Sequence, residues 1–331
     1  MEAPQQTATV TDLVRSLIAG SYTERAAASM TLKRLGAPAV EPLLIALRDS
    51  SPLATDARPT IIETLGALGD MRALASLLAE LRSPRADVRQ ATARALALLG
   101  NPAAIPALID LFREDERADG DEAGVVGVWE EAASALASFG DAALAPLCDA
   151  LGDTRANVRA WSVVALGRLR DGRALGSLVR MLADPAATAR AYAADALASM
   201  GDSAAFPALA QMVRDDPDPF ARGRAAYALA TFAGSEVVDA LLPALRDPDA
   251  GVRCAVAYAI GCSGDRRATG ILISLLSDCA DDVREAAVLR LGEIGDEQVA
   301  RTLEPLTFDQ TSAEGVRAFA QAAVERIRSR S

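Results

Sequence analysis

The sequence predicts an all-α chain stacked from two-helix repeats, an α-solenoid. Three observations predict it: an internal repeat, an arginine that marks its register, and a small-residue apolar period. The segment "DVRQATARALALLGNPAAIPALIDLF" recurs as "NVRAWSVVALGRLRDGRALGSLVRML". It returns as "GVRCAVAYAIGCSGDRRATGILISLL" and as "DVREAAVLRLGEIGDEQVARTLEPL". Self-similarity at a period near 30 residues is the mark of a repeat architecture. The anchors are Arg25, Arg58, Arg89, Arg159, Arg190, Arg222, Arg253, Arg284 and Arg317. Subtracting neighbouring positions gives steps of 31 to 33 residues, except for 70 between Arg89 and Arg159. That long step holds two repeats, with Trp129 at the anchor position between them, so ten anchored helices are expected.

Each repeat reads as two helices. After the arginine, apolar residues follow at three, four, seven and ten places, a helical period, as with Ala193, Ala194, Leu197 and Met200. A pair such as Gly201-Asp202, Gly264-Asp265 or Gly295-Asp296 then ends the helix, where glycine suits a left-handed cap. A second helix follows, and an Asp-Pro turn such as Asp184-Pro185 or Asp247-Pro248 leads into the next repeat. One such pair cannot bury its own apolar face, so neighbours must stack into a curved, continuous body.

Composition agrees. Apolar residues make up 51% of the 331, but aromatics only 4%, so the core must be Ala, Leu and Val at close helix spacing. The net charge of −11 argues against a surface that tracks nucleic-acid phosphates. The four cysteines, Cys148, Cys254, Cys262 and Cys279, show no CxxC spacing and read as reduced thiols of a cytoplasmic protein. "MEAPQQTATVTD" has no basic segment followed by an apolar run, so no signal peptide is expected. No stretch reaches the roughly 18 apolar residues of a membrane span. Residues 1–11 read as a disordered tail and 12–331 as a single solenoid, with 12–19 a lone half-repeat at one end. The last repeat, "EGVRAFAQAAVERIRSRS", reads as a polar cap.

The pattern D-P-x-x-x-V-R-x-x-A-x-x-A-L-G-x-L-G-D resembles HEAT repeats, in the short form named after phycobilisome lyases. The resemblance covers about residues 12 to 331. It implies a right-handed superhelix of about ten repeats, with the anchored helices on its concave side. Aspartates six places before the anchor, Asp153, Asp184, Asp216, Asp247 and Asp278, are implied to form a charge-assisted ladder with the arginines, each rung worth roughly 1.5–3 kcal/mol. Copied five times along a rod, they read as structure rather than as an active site.

The chain contains no histidine. Ser-His-Asp and Cys-His catalysis are therefore excluded, along with imidazole metal sites. Deoxyhypusine hydroxylase also consists of HEAT-like repeats, but its His-Glu iron motifs have no counterpart here. No catalytic residue, metal ligand or cofactor is predicted. The acidic, glycine-rich "REDERADGDEAGVVG", residues 113–127, reads as a solvated loop insertion, with Trp129 packing where it rejoins the stack.

The candidate binding residues come from the outward stripe of the anchored helices. Places two, five and nine after the anchor lie together, opposite the core face. In the middle repeats they are Trp161, Val164, Arg168, Tyr192, Asp195, Arg224, Tyr227 and Tyr258. Three of the four tyrosines stand here, and rigid rings beside arginines make binding hot spots. Trp161 is accordingly expected to be displayed. The expected function is a non-enzymatic scaffold that takes a protein or peptide along the concave groove. An alternative is a phycobilin lyase-like subunit, whose bilin would lie on the rings with its propionates on Arg168 or Arg224 and with Cys262 in the same stripe. The HEAT-like alkylpurine DNA glycosylases also resemble the chain, but need a basic groove that a charge of −11 disfavours.

Overall fold

A computed structural model describes residues 3–49, 51–113 and 122–330; of residues 3–9, 52–53 and 122–126 it describes the backbone alone. The chain forms two compact units, Met1–Leu169 and Arg170–Ser331, which divide the single stretch expected over 12–331. Among the described residues there is no strand.

Unit 1 holds α1 (Ala3–Ala19), α2 (Tyr22–Leu35), α3 (Val40–Arg48), α4 (Pro52–Leu68), α5 (Leu74–Glu80), α6 (Ala86–Leu99), α7 (Ile105–Asp110), α8 (Glu122–Ser138), α9 (Asp141–Ala150) and α10 (Ala156–Leu169). Unit 2 holds α11 (Leu175–Met181), α12 (Ala187–Met200), α13 (Phe206–Asp215), α14 (Pro219–Leu229), α15 (Ser235–Leu241), α16 (Ala250–Cys262), α17 (Ala268–Leu275), α18 (Asp281–Ile294), α19 (Glu297–Phe308) and α20 (Glu314–Arg328). The even-numbered helices are the ten anchored helices of the sequence. Within each unit, consecutive even helices pack on one another, as α4 on α6 and α14 on α16. The odd helices pack behind them, as α5 on α6 and α17 on α18.

Small side chains make this stacking possible. A Cβ added to Gly66 of α4 would meet the Ala95 Cα of α6 at 2.5 Å, and one added to Gly292 of α18 would meet the Ala323 Cβ of α20 at 2.7 Å. Both glycines stand eight places after their anchor, where the next even helix crosses. Leu77, Ile61, Ile62 and Leu65 are fully buried between the rows of unit 1, as are Leu209, Leu241, Leu272 and Leu291 in unit 2.

The turns follow the local chemistry. Pro219 opens α14, where its missing N–H costs no bond. The Asp218 side chain accepts the Ala221 N–H, and Asp249 does the same for Val252 at the start of α16. Gly201 and Gly264 are left-handed, with φ 65° and 69°, but Gly295 has φ −78°, so the expected left-handed cap there is corrected. The Asp296 side chain instead accepts the Gln298 and Val299 N–H groups and starts α19 directly after the extended Gly295. In the turn before α11 the left-handed place is held by Arg170.

Two further expectations change. Helix begins at Ala3, so the disordered tail expected over 1–11 is helical from that residue, and Val10, Val14 and Leu17 are buried. The insertion expected over 113–127 is shorter, since a 3-10 turn runs to Arg113 and α8 starts at Glu122. The centre of that insertion, 114–121, lies outside the described residues.

Candidate functional site

A ladder of arginines and aspartates sets the register of the helices that carry the site. In unit 2 three of the five anchor arginines, Arg190, Arg222 and Arg253, each reach two ladder aspartates. Arg190 Nη1 donates to the Asp184 carbonyl at 2.9 Å, while its Nε and Nη2 donate to the Asp216 carboxylate at 2.6 and 2.7 Å. Arg222 repeats this with the Asp216 carbonyl at 3.0 Å and the Asp247 carboxylate at 2.7 and 2.8 Å. Arg253 does so with the Asp247 carbonyl at 2.8 Å and the Asp278 carboxylate at 2.8 Å. In these three repeats the ion pair therefore joins one repeat to the next, and the tie within the repeat is a bond to a carbonyl. Each carboxylate also accepts a backbone N–H two residues on, as Asp247 does from Asp249. Burial works to raise Asp216 and Asp247, yet their arginines hold both below the usual carboxylate range; at Asp278 the Arg253 hydrogen bond dominates in the same direction.

The fourth repeat is different. Trp129, 1% exposed, replaces the anchor, and its indole Nε1 donates to the Leu111 carbonyl at 2.9 Å, standing in for the carbonyl bond of the missing guanidinium. The carboxylate of Asp153 is met by Arg113, at 3.0 Å, from the turn before the insertion.

Trp161 joins that exception. Its ring lies 5.8 Å from the Trp129 ring and 6.4 Å from Phe112, and the residue is only 7% exposed. The expectation that it is displayed is thus corrected. The outward stripe of α10 should expose it, but the bulk at the anchor position of α8 and the Phe112 ring enclose it. Val164 is half-buried, and Arg168 is exposed but held by the Glu130 carbonyl at 2.7 Å and the Ser134 hydroxyl at 2.5 Å. These three predicted residues belong to unit 1.

The other five lie on even helices of unit 2, and four of them meet. Asp195 of α12 accepts from Arg224 Nε of α14 at 2.9 and 3.0 Å, and Arg224 Nη2 lies 2.6 Å from the same carboxylate. Burial pushes the Asp195 carboxyl up, although Arg224 pulls it the other way. The Arg224 guanidinium stands 6.0 Å from the Tyr227 ring centroid. Tyr227 then meets Tyr258 of α16 edge to face, with centroids 5.3 Å apart and planes at 61°. The two rings are 39% and 37% exposed, enough to present both to a partner. Tyr192 is half-buried on α12.

Sequence reasoning missed the far side of this chain of contacts. Arg290 of α18 lies over Tyr258 at 4.5 Å, pairs with Glu293 at 2.8 Å and approaches the Cys262 sulfur at 3.8 Å. It stands six places after its anchor, off the predicted places, and its stem lies against Gly261 of α16. Leu289 and Phe319 were within reach of the same reading. They occupy the fifth and second places after Arg284 and Arg317, and both remain exposed. Phe220, two places before Arg222, is exposed on the same face of α14. The outcome is a face across α14, α16, α18 and α20 carrying Phe220, Tyr227, Tyr258, Leu289 and Phe319, with Arg224 and Arg290 pinned beside the tyrosines. Among the described residues no group of three or more His, Cys, Asp or Glu side chains has the geometry of a metal site, and no helix is long and apolar enough to cross a membrane.

A stack of anchored helix pairs with one exposed, aromatic-lined face defines a helical-repeat protein. The chain belongs to the HEAT-repeat family, whose model matches residues 40–125, 127–194, 144–230, 180–250 and 238–325. No curated protein matches the sequence. Among solved structures, the karyopherin Kap121p bound to Pho4p is similar at a TM-score of 0.68 and 15% identity, over 97% of this chain and 40% of Kap121p. Kap95p, solved with RanGDP, is similar at 0.62 and 13% identity, over 97% of this chain and 52% of Kap95p. YibA of Escherichia coli is similar at 0.53 and 19% identity, over 85% of this chain and 98% of YibA. The chain thus spans about half or less of the karyopherins it resembles. At these identities the likeness is one of fold.

Proposed function

We propose that this chain is a non-enzymatic protein-binding scaffold and that the even-helix face of unit 2 is its contact surface. The observation that carries the reading is the Tyr227–Tyr258 pair, two exposed rings immobilised between Arg224 and Arg290. A ring already locked in place loses little freedom on binding, which is why rigid aromatics beside arginines carry interface energy. The similar karyopherin Kap121p is itself solved bound to protein segments, an analogy at the level of fold. The four unjoined cysteines favour work in a reducing, cytoplasmic setting.

The test uses a partner captured from lysate, identified and purified. Tyr227→Ala and Tyr258→Ala should each weaken its binding by about 2 kcal/mol, roughly 30-fold. The melting temperature should hardly move, because exposed substitutions change stability by about 0.5 kcal/mol or less. Unchanged affinity in both variants, or early melting of both, would remove the face from this role.

The second reading is a phycobilin lyase-like subunit of the short-repeat type, favoured by the proximity of Arg224 to two exposed rings that a bilin could lie on. A visible absorption shift on adding bilin, lost in Arg224→Gln, would support it; an unchanged spectrum would eliminate it.

A further inference from the structure

We infer that the face of unit 2 selects a peptide segment that carries a side-chain carboxylate beside apolar residues, and that the carboxylate docks where Arg224, Tyr227 and Tyr258 converge. The inference rests on the scaffold reading and adds the chemistry of the partner.

Its basis is a group of partly exposed hydrogen-bond donors without a partner among the described residues. Arg224 spends Nε and Nη2 on Asp195, so that tether fixes the plane of the guanidinium. Its Nη1 has no partner among the described residues, and its side chain is 40% exposed. The hydroxyls of Tyr227 and Tyr258 likewise have no hydrogen-bond partner among the described residues. Three donors therefore lie on neighbouring, immobilised side chains, with centroid separations of 6.0 Å from guanidinium to ring and 5.3 Å from ring to ring. An acceptor of two or more lone pairs matches them, and a carboxylate matches an arginine edge best.

The alternative, a cationic partner, is opposed by the same geometry. Each ring already holds a guanidinium on one face, Arg224 on Tyr227 and Arg290 on Tyr258. An incoming lysine would meet two fixed guanidinium groups. Charge also gives the site a direction. Asp282 and Glu285, seven and four places before Leu289, lie on the same side of α18 as that residue, so they repel a carboxylate at that end and leave Leu289 and Phe319 for apolar side chains. The segment therefore lies with its acid toward α14 and its apolar residues toward α20.

The probe is an array of random dodecapeptides bound to the purified chain and ranked by fluorescence. The peptides that bind should be enriched in Asp or Glu next to Leu, Ile, Phe or Met. Changing that acid to its amide should weaken a resynthesised peptide by at least 10-fold in anisotropy. Tyr258→Phe, which removes one hydroxyl from the surface, should remove part of the preference for acid over amide. The double variant Asp195→Asn/Arg224→Gln, which leaves no unpaired charge, should abolish it with little change in melting temperature. Binders that are Lys- or Arg-rich, or indifferent to the amide change yet lost with Tyr258→Ala, would overturn the carboxylate and leave the scaffold reading standing. Peptides whose binding ignores both Tyr258→Ala and Arg224 variants would overturn both. Biliverdin competing with the peptide through Arg224 would assign the carboxylate site to tetrapyrrole propionates and overturn the peptide assignment.

Discussion

The fourth repeat of unit 1 and the repeats of unit 2 solve one packing problem by different chemistry. In unit 2 successive helix pairs are joined by buried ion pairs, each carboxylate held by a guanidinium at 2.6–2.8 Å and by a backbone N–H of its own turn. In the fourth repeat the joint is a cluster of Phe112, Trp129 and Trp161, with one indole hydrogen bond and Arg113 recruited for the orphaned Asp153. The ladder position therefore needs a donor to a carbonyl and bulk against the next repeat, and charge is one way to supply them. The two joints also separate the two kinds of aromatic. Those beside the ladder exception fill the interior, while those on the regular ladder are free to face outward.

The largest effect is expected at the aromatic joint. Trp129→Ala removes the fully buried ring, the anchor's carbonyl bond and the surface on which Trp161 lies. It should lower stability by about 3–5 kcal/mol, as truncation of buried aromatics does. Urea unfolding followed by circular dichroism measures this, and a loss below about 1 kcal/mol would mean that the cluster is not the joint.

Arg222→Ala should come next, at about 3 kcal/mol, because it leaves the Asp247 carboxylate buried without its partner. At about 2–4 °C per kcal/mol for a unit of this size, the melting temperature should fall by roughly 6–12 °C. Adding Asp247→Asn should recover part of the loss, since the orphaned charge goes with it. No recovery would show that the carbonyl bond to Asp216, rather than the ion pair, holds the repeats together.

A smaller, graded difference is expected in acid. Asp216, Asp247 and Asp278 have folded pKa values below the ordinary carboxylate value of about 3.9. Groups of that sign stabilise fully above the unfolded value and lose the contribution as pH falls through the folded one. Unit 1 has lowered carboxyls too, among them Asp70, Asp87 and Asp153, but these side chains are more exposed than those of Asp216, Asp247 and Asp278, so solvent screens more of their contribution. Burial there pushes Glu80 up, with Arg58 3.2 Å away. Both tryptophans are in unit 1, so their fluorescence reports that unit, whereas circular dichroism reports both. On titration below about pH 4, helical signal should be lost before the tryptophan emission shifts. Emission shifting first would place the acid-labile joint in unit 1 and reverse the comparison.

Much of this was legible in the sequence. The arginine register located nine of the ten even helices, because an anchor repeated at 31 to 33 residues marks the same place in each pair, and the 70-residue step between Arg89 and Arg159 marked the tenth. The five ladder aspartates were legible for the same reason. The site was legible in part: Asp195, Arg224, Tyr227 and Tyr258 share a stripe that helical period predicts, and the structure brings them into contact. Arg290 was not, since a long side chain at an off-stripe position can reach back to a ring that its own Cα does not face.

The sequence by itself determined the repeat, its length, the helices, and the recurrence of an arginine in most repeats and of an aspartate in five. These depend on period and on neighbours within one helix pair, which spacing encodes. Only the tertiary structure decided that the ion pair runs forward to the next repeat, that Trp161 is enclosed while Tyr227 and Tyr258 stand open, and that Arg224 keeps one donor edge free. Period places a residue on a face. Whether that face is covered depends on the bulk that another helix sets against it, and at α10 that bulk came from Trp129 and Phe112, side chains that the other repeats do not have at those places.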